Sequence, residues 1–276
     1  MGIVAAAPRH QRAKGGCALR FTHARGDTRL AHLDQASPMR ILFPTPEPGE
    51  MPLAALVNTA GGLAGGDEVA IEVTIDPGAR ATLSTPAAEK IYRSLGPETR
   101  IATRLVAEAG ALLEWIPQET ILFEGARLDR RIEVSIAADA TLVMAEMLVF
   151  GRRARDERFA TGSLNDSWRV ARDGRLLWAD GLALGPAPVA QIDRPFGLGG
   201  AEALATLLLA LPGDSLAARD VLREGGMPAT IPRPGLVLLR WLGAATAVRE
   251  SLGAAIRQVR RDVLGLPAVL PRLWTC

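Results

Sequence analysis

The chain has 276 residues, 48% of them hydrophobic and only 4% aromatic, with 32 basic and 30 acidic side chains for a formal net charge of +2. A balance this close, with so few rings to stack on bases, excludes a polycationic nucleic-acid binder. Two cysteines near opposite ends, Cys17 and Cys276, exclude a disulfide framework and a CxxC zinc knuckle.

In chain order, the opening MGIVAAAPRHQRAKGG has an apolar run too short for a secretory signal, and Ala6 where a myristoylation pattern needs Ser or Thr. Residues 1–16 are expected to form a flexible tail ahead of a single domain over 17–276. No stretch supplies the ~20 apolar residues of a membrane span. The next landmark is NTAGGLAGGDE, Asn58–Glu68, with Gly61, Gly62, Gly65 and Gly66. A phosphate-binding GxxxxGK[ST] loop would place Lys and a hydroxyl after the last glycine, but Asp67 and Glu68 stand there. GxGxxG also fails, and the sequence that follows reads as a strand, which offers no helix N-terminus to an anion. The stretch reads as a tight turn that fixes the Asp67 carboxylate, either against the loop's own amides or in reach of an ion.

From Ala70 a unit recurs: AIEVTIDPGARATLST, RIATRLVAEAGALLEW, RIEVSIAADATLVMAE and SWRVARDGRLLWAD. Each is a run of alternating apolar residues, a small-residue turn and a second apolar run. Period-two alternation is the signature of a half-buried strand. Aligning Gly78, Gly110, Asp139 and Gly174 gives spacings of 32, 29 and 35 residues, which predicts stacked layers of strand pairs, a β-solenoid-like body over 17–197. A plain antiparallel sandwich is the alternative.

Residues 182–200 read as a linker or long surface loop, and 198–276 as a helical C-terminal part. Helices are predicted over GLGGAEALATLLLALPG, over SLAARDVLREGG with Ser215 as N-cap and Gly225 as stop, and over GAATAVRESLGAAIRQVRRDVLGLP. In the last, Val248, Leu252, Ile256, Val259 and Val263 form a one-sided stripe, ended by Gly265 and Pro267. The fold class is therefore mainly β, with stacked strand layers and a helical C-terminal part.

The inventory for chemistry is thin. His10, His23 and His32 are the histidines, and 33–275 holds neither His nor Cys, the ligands a tight borderline-metal site prefers. There is no GxSxG elbow. Candidate metal contacts are the carboxylates Asp67, Glu119, Glu124, Glu146 and Glu157, whose alternative role is surface charge. Glu119 and Glu124 also permit a layered-β carbohydrate-active enzyme. GRRARDERFATGSL, with Arg152, Arg153, Arg155 and Arg158 beside Asp156 and Glu157, reads as a self-paired loop or a docking surface.

Taken in order, NTAGGLAGGDE, TLSTPAAEKIYRS, LEWIPQETILFEGARL, GRRARDERFATG and PRLWTC resemble the UreD (UreH) family of urease accessory proteins, from about residue 17 to the end. The family motifs fall on Gly61, Gly62, Gly65, Gly66 and Asp67; on Thr85, Tyr92 and Arg93; on Pro117, Gln118, Glu119, Phe123 and Glu124; and on Gly151, Arg152, Glu157 and Gly162. The resemblance implies a cytoplasmic, non-catalytic scaffold with a stacked β fold. It implies binding of apo-urease, recruitment of UreF and the GTPase UreG, and delivery of nickel through an internal water-filled passage. It also implies a dimer of heterodimers with UreF, and nickel as a transient cargo with no tightly bound cofactor. A structural adaptor that passes no nickel is the other reading. The chain departs from the family at Asp156, where many members carry glycine, beside Glu157.

Overall fold

The structure, a computed structural model, describes residues 12–274. His10, Cys276 and most of the expected tail lie outside the described residues. The tail's far end does not hold as drawn, because β1 (Lys14–Ala24) begins inside it, its first residues pairing with the strand that follows Asp67.

β1 turns back as β2 (Asp27–Ala36), and β3 (Met39–Leu42) pairs antiparallel with β4 (Leu53–Asn58). Then the coils begin. β5 (Glu68–Ile75) leads through a turn to β6 (Arg80–Ser84) and the short β7 (Glu89–Ile91). β8 (Thr99–Ala107) leads likewise to β9 (Leu112–Trp115) and β10 (Thr120–Leu122), and β11 (Arg127–Ile136) to β12 (Thr141–Phe150). β13 (Ser163–Arg172) and β14 (Arg175–Leu184) follow, then α1 (Pro188–Ile192), β15 (Ala203–Ala210), α2 (Leu216–Glu224), β16 (Thr230–Arg233), β17 (Leu236–Gly243) and α3 (Ala245–Gln258).

Among the described residues these strands make two facing sheets. One runs β14-β13-β11-β8-β5-β1-β2; the other runs β16-β17-β15-β12-β9-β6-β4-β3, with β10 pairing β12 and β7. The repeat spacing is the pairing register. Glu68 lies beside Arg100 and Thr99 beside Leu128, offsets of 32 and 29 residues, and Arg80–Leu112 and Leu112–Thr141 repeat those offsets in the other sheet. Each coil thus puts one long strand in the first sheet and its return in the second, stacked in parallel on the previous coil. The fourth unit differs: β13 pairs parallel with β11, but β14 folds back beside β13 in the same sheet.

The helix expected across 197–213 is a strand. β15 is buried along nearly its whole length because its sheet is covered on both faces. Along β12, Leu142, Met144, Leu148 and Phe150 pack into the core between the sheets, whereas Val143, Ala145, Met147 and Val149 join a second core beneath the helices. A strand buried on both faces loses its alternation and reads as a continuous apolar run.

α2 and α3 form where expected. Val248, Leu252, Ile256 and Val259 are all buried against the second core, and α3 runs into a π-helical turn, Val259–Val263. Ser215 holds the N-cap position of α2 as expected but makes no side-chain cap bond: its Oγ accepts from the Gly235 N–H, and Asp214 Oδ1 accepts from Leu216 N–H at 2.8 Å. The C-terminal turn Arg272–Trp274 closes over the early coils. Trp274 Nε1 donates to Ser84 Oγ and to the Ile116 carbonyl, and Arg249 Nη2 donates to the Trp274 carbonyl.

Candidate functional site

Three inward positions meet between the sheets. On β11, Leu128, Arg130 and Ile132 point inward; on β13, Leu164, Asp166 and Trp168 do the same. Arg130 and Asp166 are register partners on neighbouring strands. Arg130 donates from Nε and Nη2 to the two Asp166 oxygens at 2.7 and 2.9 Å, a bidentate pair. Its Nη1 crosses to the other sheet and donates to Glu146 Oε2 at 2.6 Å and Thr120 Oγ1 at 3.3 Å. Glu146 Oε1 accepts from Trp115 Nε1 at 2.7 Å. Burial pushes the Glu146 carboxyl pKa up, against the opposing pull of the Arg130 charge.

Two cavities between the sheets share Arg130 and Glu146 as wall residues. One, of about 220 Å3, extends toward Asp180, Thr206 and Arg240; the other, of about 70 Å3, extends toward Thr85, Glu89 and Gln118. Glu89 accepts from Asn58 Nδ2 on both oxygens, at 2.9 and 3.1 Å. Burial raises its pKa from 4.5 to about 7.

The other four candidate carboxylates are bonded elsewhere. Asp67 fastens its own loop to β1: Oδ2 accepts from Ala64 N–H at 2.7 Å and Oδ1 from Ala13 N–H at 2.9 Å. Glu119 pairs with Arg249 of α3. Glu124 accepts from Ala160 N–H at 2.7 Å and from the Thr161 hydroxyl at 2.6 Å. Glu157 pairs with Arg152 and accepts from Glu124 N–H at 3.1 Å. The Arg152 bond holds the Glu157 carboxyl below the usual range. Glu124 and Glu157 are thus brought together, while Glu119 is tied to a different element, so the two acids needed for glycoside chemistry do not share partners. Among the described residues no group of three or more His, Cys, Asp or Glu is placed to hold a metal ion, and no helix is long and apolar enough to cross a membrane.

The motif loops stack at one end of the coils. Gly62, at φ 153°, lies against the Tyr92 ring, which a Cβ there would approach to 2.5 Å. Tyr92 packs edge-on against Phe123 at 5.1 Å, and the Arg152 guanidinium lies 3.9 Å over the Phe123 ring. Parallel coiling dictates this: every return from the second sheet to the first occurs at the same end.

A family model described as UreD urease accessory protein matches residues 13–275. The chain belongs to this family. It is 53% identical over 239 residues to the urease accessory protein UreD of Granulibacter bethesdensis, covering 85% of this chain and 99% of that protein. It is 44% identical to urease accessory protein UreD 1 of Methylobacterium radiotolerans, covering 98% and 94%. With UreD of Magnetococcus marinus the identity is 41%, covering 94% and 93%.

Asp156, where the resemblance implied a glycine, sits at φ 53°, in the left-handed region. Asp is among the few side chains that visit it at modest cost. It closes the turn Arg153–Arg155 and so keeps Glu157 in reach of Arg152. Asp156→Gly is expected to change stability by less than about 1 kcal/mol, and Asp156→Val to lose about 1–2 kcal/mol, in urea titrations. Equal losses for the two would remove the backbone explanation. The arginine loop is self-paired and also tied to neighbours, through Arg153 to Glu202 and Arg158 to Asp193.

Arg130, Asp166 and Glu89 were not among the residues singled out from the UreD sequence motifs. For the first two a signal exists: each shares the parity of apolar neighbours in an alternating strand, which places a charge on an inward face.

Proposed function

We propose that the chain is a scaffold for urease maturation that passes nickel between its two sheets toward apo-urease. Membership of the UreD family over nearly the whole chain supports the urease role. The observation that carries the passage is Glu146: a buried carboxylate that belongs to the wall of both inter-sheet cavities. Oxygen contacts of this kind suit a cargo that must be released, where imidazole or thiolate would retain it. Recruitment of UreF and the GTPase UreG, a dimer of heterodimers with UreF, and action in the cytoplasm without catalysis of its own complete the reading.

The test is Glu146→Gln in a heterologous urease operon, with nickel content, urease activity and copurification of UreF and apo-urease measured together. At least a tenfold drop in nickel content and activity, with the complexes intact, is expected. Full activation would sink the passage and leave a structural adaptor, a reading favoured by the bonding of Asp67, Glu119, Glu124 and Glu157 to their own chain.

A further inference from the structure

Arg130 stands in the wall that the two inter-sheet cavities share. It is 4% exposed, lines both, and spans from Asp166 in one sheet to Glu146 in the other. A buried ionic triad is a poor stabilising device, since apolar groups of similar volume generally serve as well or better. The position of this one, in the shared wall of two cavities and with carboxylates on both sides, is what a role in stability leaves unexplained. A guanidinium stays charged under any physiological condition, so the block it makes cannot be relieved by losing a proton. It can be relieved by movement: the bidentate bond to Asp166 keeps the arginine charge-compensated while the single bond to Glu146 breaks.

We propose that Arg130 is the closed gate of the passage. It occupies the cation position between Glu146 and Asp166, and a divalent metal ion crosses from one cavity to the other only by displacing the guanidinium from Glu146. The exchange replaces one positive partner of Glu146 by another, so the carboxylate is never left buried without a counter-charge. With the gate shut, the cation position in the scaffold is already filled and free metal is not collected there. This inference rests on the nickel-path reading above.

The experiment uses the full chain and Ni2+ alone, in equilibrium dialysis with metal quantification, with thermal melts to establish folding. Arg130→Gln is expected to gain one nickel per chain, bound at least tenfold more tightly than by the native protein, and Arg130→Gln/Glu146→Gln to lose that gain. A folded Arg130→Gln protein that binds nickel no better than native overturns the gate. Where the glutamine variant does not fold, Arg130→Lys replaces it, because a lysine keeps the charge but cannot span both carboxylates. At least a threefold gain in affinity is then expected, and no gain overturns the proposal. Failure of the underlying reading shows separately. If Glu146→Gln activates urease fully while Arg130→Gln gains its nickel, the gate chemistry stands and the nickel path falls.

Discussion

Glu89→Gln should make the protein more stable by about 2–3 kcal/mol at pH 8 and leave it unchanged near pH 4.5. The Glu89 carboxyl moves from an ordinary value of 4.5 to about 7 on folding, chiefly because burial disfavours its charged form. The folded state therefore holds this proton more tightly than the unfolded chain does. Stability falls as pH rises from 4.5 to 7, and the full cost is present above 7. Two and a half pH units are worth about 3 kcal/mol, and the side chain's residual exposure puts the gain toward the lower end. Glutamine keeps an acceptor for Asn58 Nδ2, which donates to Glu89, without the charge. Urea unfolding of the two proteins at pH 4.5, 6 and 8 measures the difference. A gap that does not widen with pH would mean that Glu89 ionises as freely as a surface acid.

The second large effect lies under the C-terminal helix. Arg260 has no exposed surface, and its Nε sits 3.3 Å from Glu114 Oε1, itself fully buried, without hydrogen-bond geometry. Glu50 accepts from the two terminal nitrogens at 3.1 and 3.2 Å, and Thr82 donates to Glu114 Oε2 at 2.7 Å. Burial raises the Glu114 pKa, and the Arg260 charge is the main force opposing the rise. Arg260→Leu leaves that carboxylate buried without a cation, and a loss of about 3–5 kcal/mol at pH 7.5 is expected in urea titrations. The loss should shrink toward pH 5 as Glu114 takes up a proton, and Arg260→Leu/Glu114→Gln should recover most of it. A single-variant loss below about 1 kcal/mol would mean that water reaches Glu114.

The sequence made the coils legible because a parallel stack writes its register into the chain. Gly78, Gly110 and Asp139 return at the spacing that separates paired strands. The fourth unit carried the same pattern, but alternation along β13 and β14 does not say which sheet a strand joins. ALATLLLA failed for a different reason. Sandwiched between the other sheet and the helices, Ala203–Ala210 has no solvent face to mark its period. At the site, Glu146 enters the sequence reading as one carboxylate among five, and the apolar run TLVMAEMLVF around it is the signal that it is buried. Arg130 and Asp166 carry a fainter one, because they lie among charged residues of strands that expose their other face. Asp67 read correctly as the fixed point of a turn, and its oxygens meet the amides of Ala64 and Ala13. Glu89, on a strand of three residues, left no periodic trace at all.

Trp274 reaches back 190 residues to Ser84. A ribosome adding ~5–20 residues per second takes ~10–40 s to cover that distance. For that time Ser84 lacks the indole that covers it in the folded chain, and Ile116 lacks it for the last 158 residues of that interval. The order of synthesis thus makes the covering of Ser84 and Ile116 by Trp274 a late event in folding.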